Sequence, residues 1–388
     1  MSTFGYEVPH PGWFIQEELD ARGWGQRDLA FILGIKEQYV NRIINGRVGI
    51  SSEMAKAFAK AFDVDADFFA TLQKSYDLAH ADEPDPAIAR RAQLQAVYPV
   101  REMIKRKWIT DADLELQIAR FFKVEAADQI PCMAHAAKKI YASEEATPAQ
   151  LAWLFRVRQI AEAMPSKPYS ERALCDALKR LRMLLAEPEE ARHVPRILTE
   201  CGVRFIIVET LATAKIDGVC TWLNAESPVI GMSLRYDRID NFWFVLGHEC
   251  EHVLKKHGQD VAVIDAELDS DRASDSGKIS QQEKITNAAA ANFCIPHSEM
   301  LSFIARKDSF FSERDIIGFA RRMNVHPGLV VGQIQPHTKR WIFFRRYRVK
   351  IRHFLMPEAM VDGWGQVAPV SVEGMPTMTT RNESLCPV

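Results

Sequence analysis

The sequence predicts a multidomain, mostly α-helical chain that closes in an α+β unit, and three observations lead there. Short apolar-striped helices separated by glycine turns occupy residues 10–72. Apolar residues at helical spacing recur over 94–194. Two β-branched or alternating runs, 202–210 and 228–236, precede a helix carrying His248-Glu249-Cys-Glu-His252. The expected divisions are a helix-turn-helix domain at 1–78, a helical connecting region at 79–195, an α+β domain at 196–355 and a flexible tail at 356–388.

The N-terminal domain is read from its punctuation. His10-Pro-Gly makes a turn, and the helix that follows ends at Gly23. Residues 26–33 form a second helix with Leu29, Ala30 and Leu33 on its buried stripe, and Gly34-Ile35 turns the chain. A third helix follows over 36–45, with Val40, Ile43 and Ile44 inward. Two short helices about a glycine turn are a helix-turn-helix, whose second helix enters the DNA major groove. On it Gln38, Tyr39 and Arg42 point away from the core towards base edges or phosphates. Gln26, Arg47 and Ser51 complete the candidate contacts. Helices at 51–62 and 65–72 finish the bundle. Such bundles are also common as plain structure, and this one is slightly acidic, which argues against strong non-specific DNA binding.

Residues 79–91, with Asp82-Glu-Pro-Asp-Pro, read as a polar linker. Helices are expected at 114–122, 147–163 and 170–185, where Ser170 and Glu171 suit a helix start. Cys132 and His135 have no partner at a useful spacing and read as ordinary helical residues. The region connects, dimerises or binds a partner.

The chemistry is concentrated in the helix from Phe242 to His257. His248 and His252, four residues apart, share one helix face, which is how two imidazoles take one zinc ion. Glu249 is placed to take a proton from an attacking water. Asp240 or Asn241 suits the helix start, and Lys255, Lys256 and Gly258 suit its end. A second helix, 283–295, stops at Pro296 and carries Glu283 near its start, with Asn287 one turn on. Glu283 is either a third ligand or a solvated glutamate at the favourable end of a helix dipole. His257, five residues after His252, faces elsewhere on a continuous helix. Residues 230–236 are a candidate edge strand for an extended peptide, and 259–282 an acidic, serine-rich loop. A further helical stretch, 311–335, turns at His326-Pro-Gly, where His326 is structural. Basic and aromatic residues alternate over 339–352, usually the mark of a half-buried element with a charged face and less often of nucleic-acid contact.

Two resemblances add to this reading. The stretch 198–335 resembles the ImmA/IrrE metallopeptidases, through Gly202-Val-Arg-Phe-Ile-Ile-Val, Ser227-Pro-Val-Ile-Gly-Met-Ser, the helix with His248 and His252, the helix from Glu283 to Pro296, and His326-Pro-Gly-Leu-Val-Val-Gly-Gln-Ile-Gln. The resemblance implies a zincin-like fold, Zn²⁺ on His248, His252 and Glu283, and Glu249 as general base. Glu251 and Ala289 stand where that family often has glycine and an aromatic. Residues 7–77 are similar to HigA-type antitoxins of the lambda-repressor-like (Cro/repressor) kind, through His10-Pro-Gly, Gln26-x-x-Leu-Ala-x-x-Leu-Gly and Val40-Asn-x-Ile-x-x-Gly46. That resemblance implies a homodimeric repressor on a palindromic operator and a cognate toxin partner.

Length and composition are consistent with this. The 388 residues allow two or three domains, and a net charge of −2 gives no bulk attraction to nucleic acid or membrane. Seven scattered cysteines without a Cys-x-x-Cys pair, no basic start with an apolar core, and no long apolar run predict a cytoplasmic protein without a membrane span. The expectation is a DNA-binding repressor and antitoxin with a zinc metallopeptidase-like domain that cleaves a specific protein. One alternative is a non-catalytic repressor whose zinc domain senses metal or scaffolds a partner. The other is a regulatory protease that docks through its helix-turn-helix.

Overall fold

The computed structural model describes residues 8–127, 137–139, 146–259, 262–266, 281–307, 310–338 and 344–362. The chain divides into two compact units, Met1–Ala89 and Arg90–Val388.

The first unit is five helices: α1 (Pro11–Arg22), α2 (Gln26–Leu33), α3 (Glu37–Ile44), α4 (Ser52–Phe62) and α5 (Ala66–His80). Local chemistry starts and stops each. His10 Nδ1 accepts the Gly12 N–H at 2.9 Å, and Pro11 sits where a helix needs no donor. Gly34 ends α2 at φ 65°, the left-handed conformation that glycine adopts without strain. The Ser51 hydroxyl accepts the Met54 N–H at 3.2 Å and so caps α4. Ile15, Leu19, Leu29, Val40, Ile43, Phe58, Phe62 and Phe69 form the core. Burying each phenylalanine contributes roughly 1.5–3 kcal/mol. Exposed pairs such as Arg27–Glu37, 3.1 Å apart, contribute about 0–1 kcal/mol. The aromatic core therefore dominates this unit. Leu33 and Ile44, expected inward, are half-buried. Helix α5 runs on to His80 and takes the first part of the expected linker.

The second unit is built on one sheet. Before the sheet come α6 (Ala87–Val97), α7 (Val100–Lys105), α8 (Leu114–Phe122), a short strand β1 (Ala137–Lys139), α9 (Pro148–Ala163), α10 (Glu171–Arg182) and α11 (Val194–Glu200). Strands β2 (Arg204–Val208), β3 (Ile216–Trp222) and β4 (Pro228–Met232) lead into α12 (Ile239–Leu254). Then follow β5 (Ala262–Ala266), α13 (Gln281–Cys294), α14 (His297–Lys307), α15 (Glu313–Met323), α16 (Pro327–Thr338), α17 (Arg352–Leu355) and β6 (Met360–Asp362). The strand order is β1-β5-β3-β4-β2-β6, with β3 antiparallel to both its neighbours and the other pairs parallel.

Alternation along the strands explains the layers. Phe205 and Ile207 face the core beneath α12, with Trp243, Val245 and Leu246. Ile206 and Val208 face the opposite way, towards Trp153 and Val157 of α9. The Trp153 indole N–H donates to the Val208 carbonyl at 2.8 Å, and the Gln150 amide donates to Ala214 at 3.0 Å. Helices expected to connect, dimerise or bind a partner thus supply one face of the sheet. A bulge between Ile216 and Gly218 resets the alternation of β3 and puts Gly218 opposite Asp265.

Several expectations are corrected. The candidate edge strand 230–236 is not one: β4 ends at Met232, and it pairs with β3 on one side and β2 on the other, which leaves no free backbone for a peptide. The expected loop 259–282 contains β5, and the expected tail contains β6, which pairs with β2. Cys132 and His135, residues 339–343 and the rest of the expected tail, 363–388, lie outside the described residues. In the basic and aromatic stretch, Arg346 and Tyr347 engage Glu313, Arg348 engages Gln335, and Arg352 engages Glu209. These contacts are those of a packed element. No described helix is long and apolar enough to cross a membrane.

Candidate metal centre and nucleic-acid interface

Helix α12 lies beneath the sheet, and its buried face carries His248, Glu249 and His252, all at 0% exposure. Its start differs from expectation: Arg238 precedes the first turn without a side-chain cap, and Asp240, inside that turn, is ion-paired to Arg238. Glu283 enters from the first turn of α13 and is 5% exposed, so it is not a solvated glutamate. The sequence reading missed a fourth group. Asp265 on β5 is fully buried, and because Ile264 faces the α9 side, Asp265 faces α12. His248, His252, Asp265 and Glu283 each offer a donor atom within 4.8 Å of the others.

The distances can be compared with what a metal requires. The two histidine Nε2 atoms are 2.9 Å apart. His248 Nε2 is 3.3 Å from Asp265 Oδ2 and 3.4 Å from Glu283 Oε2. His252 Nε2 is 3.9 Å and 3.6 Å from the same two oxygens. A tetrahedral zinc with bonds of about 2.1 Å has ligand-to-ligand edges of about 3.4 Å, and the observed spread brackets that value. The charges fit as well. Both Asp265 oxygens are buried and, with the buried Glu283 carboxyl beside them, place two carboxylates in the interior, an arrangement that is costly unless a cation compensates it. The donor set, two imidazoles and two carboxylates, suits a divalent ion such as Zn²⁺.

The protonation equilibria reflect the same crowding. Burial lowers the His248 pKa, but the Asp265 carboxylate and then Glu283 outweigh it and lift the value to about 9. Burial raises Glu283, but hydrogen bonds to His248 and His252 outweigh it and bring it down to about 2. Glu249 is pushed well above the ordinary carboxylate range by burial and then by Asp265. Its carboxyl lies against the backbone of β3, where a Cβ on Gly218 would come within 2.0 Å of Glu249 Oε1. Only glycine leaves that space.

His257 is a second departure. Helix α12 ends at Leu254, and Lys256 turns left-handed at φ 56°, which brings the chain back. His257 Nδ1 then sits 2.8 Å from His252 Nδ1. A ring nitrogen held from behind fixes which nitrogen the imidazole presents to a metal. The expectation that His257 faces elsewhere assumed a helix that continues. His326 is structural as expected: its Nδ1 accepts the Gly328 N–H at 3.0 Å at the start of α16.

In the first unit Gln38, Arg42 and Arg47 are exposed, whereas Gln26 is half-buried and its Oε1 accepts from the Asn41 amide at 3.1 Å, tying α2 to α3. Tyr39 departs from expectation. It is half-buried and packs against the core, since it precedes buried Val40 on a short helix whose apolar stripe is wide.

Residues 15–69 match the helix-turn-helix family model. Virulence-associated protein A′ of Dichelobacter nodosus is 40% identical over 76 residues, 19% of this chain and 66% of that protein, so the chain spans just under two thirds of this curated relative. The Pseudomonas aeruginosa antitoxin HigA, solved with the higBA promoter, is 31% identical over 23% of this chain and 94% of its own, with a TM-score of 0.19. Another Pseudomonas aeruginosa protein, solved with its 18-bp operator DNA, is 30% identical over 22% of this chain and 96% of its own, with a TM-score of 0.21. Superpositions at those scores do not bear on the fold, which rests on the family match and on the α2–turn–α3 arrangement. The chain is thus a two-unit protein, one helical and one α+β. Its N-terminal unit carries a helix-turn-helix over residues 15–69, and its second unit holds the buried His–His–Asp–Glu cluster.

Proposed function

We propose that this chain is a DNA-binding transcriptional repressor of the toxin-antitoxin type whose second unit is a zinc centre of the peptidase kind. The observation that carries the first half is the matched helix-turn-helix, in which α3 leaves Gln38 and Arg42 exposed, with Arg47 just beyond it. These side chains reach base edges and phosphates when α3 lies in the major groove. A homodimer on a palindromic operator follows from the way such domains read half-sites, and a small toxin is the protein partner. Support for the DNA partner comes from similar proteins solved with promoter or operator DNA.

In the second unit His248, His252 and Glu283 would hold the zinc. When bound, the ion acidifies water and polarises a carbonyl. Glu249 takes a proton from water as its oxygen bonds to the peptide carbonyl carbon, and returns that proton to the leaving nitrogen as the C–N bond breaks. The buried position of Glu249 beside the cluster suits proton transfer in a water-poor site. The reading is a hydrolase acting on one specific protein. A non-catalytic, metal-sensing unit is the second reading, favoured by the fourth carboxylate, Asp265.

The test pairs wild type with Glu249→Gln and Arg42→Ala. Wild type and Glu249→Gln should both shift the chain's own promoter DNA and hold one metal ion, and only wild type should cleave a co-expressed neighbouring protein. Arg42→Ala should keep its metal and bind the promoter more weakly. Promoter binding by none of the three overturns the repressor reading. Equal repression by wild type and Glu249→Gln with no cleavage by either replaces the peptidase with the sensor.

A further inference from the structure

We propose that Asp265 is a resident fourth ligand that closes the metal centre, so that the chain at rest holds its metal with no position free for water or substrate. The inference rests on the metal-binding reading above and adds a regulatory state to it. A catalytic zinc site keeps three protein ligands and one open position, whereas a structural site fills all four. Here a fourth group in the cluster is a carboxylate of this chain, which would take the position a catalytic site leaves open. Asp265 Oδ2 is as near to His248 Nε2, at 3.3 Å, as Glu283 Oε2 is, at 3.4 Å.

The fold places Asp265 deliberately. Pairing of β5 with β3 sets it opposite Gly218, at the bulge that resets the alternation of β3. Both its oxygens are buried and lack a hydrogen-bond donor. No described lysine or arginine is ion-paired to it; its ion-pair partners are His248 and His252. A buried carboxylate with those neighbours is stabilised by a cation at their centre. Glu249, the proton acceptor of the proposed reaction, has its carboxyl against Gly218, the residue that β3 sets opposite Asp265, so the two groups share one side of the cluster. Hydrolysis then requires Asp265 to leave, and the resting protein is latent.

The full chain, loaded with one equivalent of Co²⁺ as a spectroscopic reporter, is titrated with azide. Zinc affinity is measured separately by chelator competition. Wild type should show a four-coordinate cobalt spectrum that azide does not change. Asp265→Ala should give an azide-sensitive spectrum and lose zinc affinity by more than the about 10- to 100-fold typical of removing an outer-shell partner. Asp265→Asn, which keeps the shape, should fall between. An azide-sensitive wild type overturns the inference whether or not the variants fold. So does Asp265→Ala with unchanged zinc affinity and spectrum. In both cases one metal ion still bound leaves the metal-binding reading standing. A wild type that takes up no metal overturns that reading and this inference together.

Discussion

Alanine at Gly218 tests the packing of Glu249 without altering a metal ligand. A Cβ there would lie 2.0 Å from Glu249 Oε1, 2.9 Å from its Cδ and 3.0 Å from Val245 Cγ1. Comfortable contact is about 3.5 Å, so the carboxyl must retreat by roughly 1.5 Å. Glu249 is fully buried, and overpacking of a filled interior costs about 1–3 kcal/mol. Gly218 does not use a positive φ, so the backbone itself accepts alanine. Most of the cost should therefore disappear when Glu249→Ala removes the obstructing carboxyl, leaving only the 3.0 Å approach to Val245 Cγ1. Urea unfolding of the full chain, followed by fluorescence of Trp153, Trp222 and Trp243, closes the double-mutant cycle. Equal losses in both backgrounds would refute the assignment of that space to Glu249.

Three further outcomes follow from particular contacts. His257→Ala should weaken zinc binding about 10- to 100-fold with little change in unfolding, because it removes only the nitrogen behind His252; chelator competition measures it. Arg42→Ala should weaken promoter binding by about 1–3 kcal/mol and leave the N-terminal unit as stable as before, whereas Tyr39→Ala should lower its melting temperature, since Tyr39 packs on the core. Asp315 is held down to about 2 by Lys307 and then by the Ser312 hydroxyl and N–H. A depressed carboxyl stabilises the fold above its ordinary value of 3.8, and that contribution is lost as pH falls through about 2. An NMR titration of the carboxyl should show this, with Lys307→Ala returning it towards the ordinary value.

Local signals were legible in the sequence and long-range ones were not. Helices α8, α9 and α10 begin where spacing and caps place them, with Thr147 accepting the Gln150 N–H at 3.3 Å and Ser170 the Ala173 N–H at 3.3 Å. His248, His252 and Glu283 meet because two helical periodicities carry them. Asp265 was hidden because β5 is a five-residue strand in an acidic stretch, and nothing local says that β3 will pair with it. The one available sign was the apolar run Val261-Ala-Val-Ile that ends in that aspartate. The position of His257 depended on where α12 stops, a boundary that periodicity alone leaves open by a residue or two. Strand β4 is internal rather than an edge for the same reason: the neighbours that cover it, β2 and β3, are set by tertiary pairing.

The pairing of β2 with β6 sets an order of assembly. Ile206 stands opposite Met360, so the sheet's outer strand must wait for almost the whole second unit to be synthesised. Closing so long a loop is slow compared with the local helix contacts of the first unit. The helix-turn-helix can therefore be complete on the ribosome while the sheet still lacks its last strand. A chain halted short of Met360 would present the backbone of β2 as an open edge, the kind of surface on which strands of other chains add. Such a truncation should keep a folded DNA-reading head and aggregate through its tail.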